Sequence, residues 1–297
     1  VRQATGKTGF ELMVQDNQNN LYLINNQGEI LWKYKTDGAV MGTIHQVEPK
    51  RNSPFLYTFN TENSIYMIDH GGNKANGFPL VLNHQASAPM SLFDYEQNRT
   101  YRLVIPCTNK QILAFDTEGQ PVDGWNIFAT DHEVSQSLKH FRVDGKDYIV
   151  GADVMTDYIL DRRGNIRVKT DAVYTHSMND IYLEERTKGR EPRFLTTDQE
   201  GNLHATNFEG EYQILPLDTL GANHFFVSAT LGSNAEPVYI TAEANQLKFF
   251  NKDRTLRFKK GFDYPISHRP QLLKLPKGEL KIGVVCASAN RIYLLNL

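Results

Sequence analysis

Five of the nine histidines recur at one position of a repeating pattern: His84, His132, His176, His224 and His268. Each follows a turn residue (Gly72, Gly119, Gly164, Gly210 and Arg254) by 12 to 14 residues. Imidazole is the commonest metal ligand, and its neutral nitrogen takes zinc at about 2.0–2.1 Å, so a set of this size raises a metal or anionic-ligand site. Arg269, beside His268, adds a fork for an anion, and Glu133 and Asp180 lie close enough in sequence to serve as general bases. The earliest unit carries Val40 and Met41 at this position instead. Whether the set converges depends on the elements that carry it.

Those elements come from a repeat. A polar residue closes an apolar strand at Asn25, Asp69, Asp116, Asp161, Asn207, Asn251 and Asn296, in steps of 44, 47, 45, 46, 44 and 45 residues. Three residues on stands a glycine in the first five units: Gly28, Gly72, Gly119, Gly164 and Gly210. Asn and Asp side chains bond the backbone two residues on, and glycine takes positive φ without a Cβ clash. The pattern Asn/Asp-x-x-Gly between two strands therefore predicts a hairpin turn with a structural role. The third strands read almost continuously apolar (LYLI, IYMI, ILAF, RIYL), which predicts burial on both faces. Four short antiparallel strands per unit, repeated about every 45 residues and covered on both sides, describe the blades of an all-β propeller.

Strand phase gives the blade count. Five complete blades are expected between about residues 42 and 262. The first blade lacks its first strand and the last lacks its fourth. Seven blades are expected, with six as the alternative if the ends share one. The whole chain, 1–297, is expected to form a single propeller domain, and its Val1 start suggests a piece of a longer chain whose upstream segment completes the fold.

Composition narrows the function classes. Hydrophobic residues make up 40% and charged residues 22%, as in a globular chain, and fourteen Tyr and sixteen Phe against two Trp suit a β-rich core. A net charge of −2 gives no footprint for nucleic acid, and no apolar run is long enough to span a bilayer. Cys107 and Cys286 each end an apolar strand and read as buried free thiols. Neither a nucleophile elbow, nor a phosphate loop, nor a His-Glu-x-x-His helix is present. Asp37, Asp171 and Asp218 fall near fourth-strand ends and read as turn residues. The "NRT" at Asn98 is one glycosylation-type pattern on a loop, and the "GFP" at Gly77 places an aromatic between blades.

The stretches "YLINNQGEILWKYKT" and "AFDTEGQPVDGW" resemble the repeats of bacterial PQQ-like propellers, and residues 132–153 are similar to a WD40 unit. The quinoprotein dehydrogenases of the former group use a vicinal Cys-Cys, a Trp platform and a calcium ion. This chain has no Cys-Cys, and its nearest acidic loop, at Asp16, lacks the carboxylates that calcium needs. Trp32 and Trp125 are predicted on outer strands, so no PQQ, calcium or other cofactor is expected. In WD40-type units a histidine before the inner strand bonds within or between blades. That reading is the more economical one here, because a metal needs three or four ligands at one point.

The expected function is a non-catalytic binding scaffold whose loops meet a protein partner, with the bacterial cell envelope or periplasm as its setting. The alternative is a metal-dependent lyase or hydrolase acting on an anionic carbohydrate, with the histidines around the mouth of the central channel. Convergence of at least three of those histidines separates the two. A small-molecule ligand is not identified by the sequence.

Overall fold

The computed structural model describes residues 11–186, 189–231, 236–274 and 279–296. Seven antiparallel sheets follow one another along the chain, and they are the blades of a β-propeller. The first comprises β1 (Leu12–Gln15), β2 (Asn20–Ile24) and β3 (Ile30–Lys35). Five four-stranded blades follow, from β4 (Met41–Val47) to β23 (Leu256–Gly261). The seventh comprises β24 (Gln271–Lys274), β25 (Leu280–Cys286) and β26 (Arg291–Asn296). Among the described residues, five complete blades lie between two three-stranded ones, the arrangement the strand phase implies. No helix among the described residues is long and apolar enough to cross a membrane.

By packing, the chain forms two compact units: residues 1–153 with 158–167, and residues 154–157 with 168–297. In each unit the apolar residues of successive blades meet. Leu21 and Leu23 of the first blade pack with Tyr57, Phe59, Tyr66 and Ile68 of the second, and in the other unit Ile240, Leu247 and Phe249 pack with Ile282 and Val284. Each large side chain buried this way stabilises the fold by about 1.5–3 kcal/mol. Of the continuously apolar third strands, β6 (Ser64–Asp69) is buried on both faces, β2 and β10 (Gln111–Phe115) alternate between buried and half-buried, and β26, at the edge of a three-stranded sheet, is largely exposed. β14 (Asp157–Leu160) and the less apolar β18 (Leu203–Asn207) are buried on both faces. Fourth strands such as β3 and β23 are largely exposed.

The hairpin turns show their chemistry directly. Asp161 Oδ1 accepts the N–H groups of Arg163 at 2.8 Å and Asn165 at 3.0 Å, and the Gly164 N–H donates to the Asp161 carbonyl at 3.1 Å. Asn25, Asp116 and Asn207 accept the equivalent pair of backbone bonds, and Asp69 accepts the Asn73 N–H. Asp16 holds its own turn in the same manner, through the Gln18 and Asn20 N–H groups. Arg254, where the sixth unit lacks glycine, is held at φ +67° by the same carbonyl bond to Asn251.

The glycines also admit the preceding blade. A Cβ on Gly72 would stand 2.8 Å from the Trp32 ring, and one on Gly210 would stand 2.1 Å from the Lys169 carbonyl oxygen. Phe78 packs against Gly119, so the Gly-Phe-Pro step does seat an aromatic between two blades.

The first strand of the fourth blade, β12, covers Lys139–Val143. Residues 133–138 send Val134 and Leu138 into the core, so their apolar residues mark burial without strand pairing.

Candidate functional site

The five repeat histidines do not share one environment. His84 and His268 are exposed, and the latter shares a hydrogen bond with Ser267 through Nδ1 at 2.8 Å. His132 is exposed over half its side chain, with Nδ1 3.6 Å from Asp153. His176 and His224 are buried. Among the described residues no group of three or more His, Cys, Asp or Glu side chains is placed to hold a metal ion.

His224 opens β20 (His224–Leu231), and its ring is held at both nitrogens. Nδ1 donates to the Gly221 carbonyl at 2.8 Å, so in the neutral ring Nε2 accepts from the Thr197 hydroxyl, also at 2.8 Å. Thr197 in turn meets Ser177 at 2.7 Å and Asn179 at 3.0 Å. The Asn179 amide pairs with β20 as a strand backbone would: it accepts the Phe226 N–H at 2.9 Å and donates to the His224 carbonyl at 3.2 Å. A loop of the fifth blade is thereby locked to the first strand of the sixth. In the other unit Asn60 makes a single bond of this kind, accepting the Met90 N–H at 2.8 Å, while its amide donates to the Thr61 carbonyl.

Beside this lock lies a cleft of about 410 Å3. Its walls come from the starts of the first strands of the fifth, sixth and seventh blades: Met178 to Tyr182, His224 to Val227, and Arg269 to Gln271. Most of the lining is apolar. Met178 is 70% exposed, an unusual position for a large apolar side chain on a polar loop, and Tyr182, Phe225 and Val227 supply the floor. The volume falls at the lower end of the range for ligand pockets, which are mostly apolar with a few placed polar groups.

Arg269 and Asp180 form an ion pair across the cleft, joining segments 89 residues apart. A second guanidinium nitrogen of Arg269 reaches the Met178 carbonyl at 3.3 Å, and its Nε has no hydrogen-bond partner among the described residues. The Tyr182 hydroxyl donates to the Phe226 carbonyl at 3.1 Å. Burial pushes the Tyr182 phenol well above its ordinary value, against the opposing pull of Arg269. Tyr182 therefore stays a neutral hydroxyl. The two cysteines lie elsewhere, buried and free, with the Cys107 thiol pushed up to about 11 by burial.

Two of the residues singled out from the sequence, His224 and Arg269, meet at this cleft, as does Asp180. His84, His132, His176 and His268 do not line it. Met178, Tyr182 and Phe225 carry no repeat signal that would have found them.

The sequence matches no family model and no curated protein. The fold matches solved propellers. BBS1N, in a crystal structure of its complex with ARL6DN, superposes with a TM-score of 0.69 at 13% identity, over 98% of this chain and 90% of that one. Sqt1 of Saccharomyces cerevisiae gives 0.68 at 11% identity, over 97% and 81%. BamB from Moraxella catarrhalis gives 0.54 at 13%, over 97% and 94%. At these identities the likeness is one of fold.

Proposed function

We propose that the chain is a non-catalytic, protein-binding propeller of the kind the PQQ-like and WD40-like repeats suggest, and that the cleft at Met178 receives the partner. The observation that carries this reading is an open, mainly apolar cleft built from three successive blades and braced by the Asn179–His224 lock. A rigid scaffold presenting loop residues in this way supplies shape and apolar area to a partner segment. BBS1N, similar in fold, is itself seen with a protein partner. The resemblance to bacterial PQQ-like repeats makes a cell-envelope protein the first partner class to test.

The test is a photo-crosslinking residue placed at Met178 and, in a separate variant, at the exposed Ile166 of a fourth strand. In cells expressing the full chain, a discrete protein adduct is expected from position 178 and none from position 166. Equal adducts from both positions overturn the assignment of the cleft.

A further inference from the structure

We infer that the cleft selects an acidic segment, seating an apolar side chain beside a carboxylate that takes Arg269 over from Asp180. The inference rests on the cleft being the partner site and adds the chemistry of the occupant.

Arginine carries five N–H donors in a fixed planar fork suited to a carboxylate. Here one terminal nitrogen is engaged by Asp180 and another by the Met178 carbonyl at 3.3 Å, the side chain also bonds the Tyr182 hydroxyl, and Nε is buried. The side chain is about one-third exposed at the rim of an apolar slot, so its bond to Asp180 is open to exchange with an incoming carboxylate. Three other polar groups of the cleft are already committed: both His224 nitrogens bond within the protein, the Asn179 amide is spent on β20, and the Tyr182 hydroxyl donates to Phe226. Arg269 is the one cationic side chain among the residues that line the cleft.

The neighbours fit the same occupant. Met178, Phe225 and Val227 offer apolar contact, and methionine adapts to side chains of different shape. A partly exposed ion pair is held only weakly in water, so an incoming carboxylate can replace Asp180 without leaving a fully buried charge behind. Asp180 then acts as a gate on charge: it holds the guanidinium in place when the cleft is empty and disfavours occupants that bring no acid of their own.

The experiment uses fluorescein-tagged, end-blocked dodecapeptides of Gly and Ser with a central Leu-Glu or Leu-Lys pair, titrated against the full chain by fluorescence polarisation. The Leu-Glu peptide is expected to bind saturably and the Leu-Lys peptide at least tenfold more weakly. Arg269→Gln should remove that discrimination. Asp180→Asn should tighten Leu-Glu binding severalfold, because the internal competitor is gone. A purely structural role for Asp180 would give the opposite sign. The melting temperature of each variant serves as the folding control, and Arg269→Lys, which keeps the charge and loses the fork, should fall between wild type and Arg269→Gln. Equal binding of the two peptides, or weaker Leu-Glu binding in Asp180→Asn, overturns the acidic selection while leaving the cleft as a site. Binding of neither peptide overturns both.

Discussion

His176 and His224 occupy the same position of the repeat, yet they sit in opposite kinds of surroundings. Around His176 the polar groups are sealed. Its Nε2 lies 3.4 Å from Asp157, and Tyr174 donates to the same carboxylate at 3.0 Å. The Tyr174 ring stacks on His204 with centroids 3.6 Å apart, and His204 Nε2 meets Asp198 at 2.8 Å. Around His224 the polar groups form the back wall of an open cleft whose exposed lining is mainly apolar. In the sealed cluster, buried polar atoms must be satisfied by one another, and each substitution strikes the fold. In the cleft the exposed groups are spared that duty, and substitutions there strike binding. One repeat position thus serves two ends, depending on what the neighbouring blade brings to it.

The sharpest way to break that contrast is Asp198→Ala. This buried carboxylate accepts the N–H groups of Glu200 and Asn202, the Asn202 amide and the His204 ring. Its removal should cost about 3 kcal/mol in urea unfolding, while Met178→Ser in the cleft should change stability by less than about 0.5 kcal/mol. Equal effects would erase the distinction. The pH dependence follows the same residue. The His204 and Asn202 bonds outweigh burial and hold the Asp198 carboxyl below its ordinary value. A depressed folded-state value stabilises the protein above the unfolded one, so the contribution is complete above about pH 5 and is lost as pH falls from about 4 through the folded-state value. Asp198→Asn should flatten the acid limb of the stability profile in that window.

A smaller effect separates equivalent histidines. His224→Ala strands Thr197 and the Gly221 carbonyl and should cost about 2 kcal/mol, whereas His132→Ala, at an exposed site, should cost less than about 0.5 kcal/mol. Matching losses by thermal unfolding would mean that the repeat position, rather than its surroundings, sets the role. Smallest of the three is Tyr174→Phe. It keeps the stack on His204 and removes one hydroxyl bond to Asp157, for about 1 kcal/mol. A null effect would show that stacking alone secures the sealed cluster.

Much of the fold was legible because it rests on local chemistry. Asn25, Asp116, Asp161 and Asn207 write their turns through bonds to residues two and four positions on, all within one short window of sequence. The third strand β6 declares its burial by being apolar on both faces, whereas the equally apolar β26 is exposed at the edge of its sheet. The Gly72 and Gly210 pattern was visible too. Its second reason, room for Trp32 and for the Lys169 backbone, was not, because those partners belong to the preceding blade. The site was legible only in part. His224, Arg269 and Asp180 drew notice by type and position, but the histidine set suggested a ring of equivalents where the structure has exposed, bonded and sealed members.

By itself the sequence determined the period, the turn geometry and the sheet order within each blade, since each depends on contacts between residues near one another in the chain, and it favoured seven blades over six. Only the tertiary structure decided where a binding cleft opens. The Arg269–Asp180 pair joins residues 89 apart, and Met178 is exposed because three blades end around it. Contacts at that separation leave no periodic mark on the sequence, because the residues that make them answer to the packing of neighbouring blades and not to the repeat that built each one.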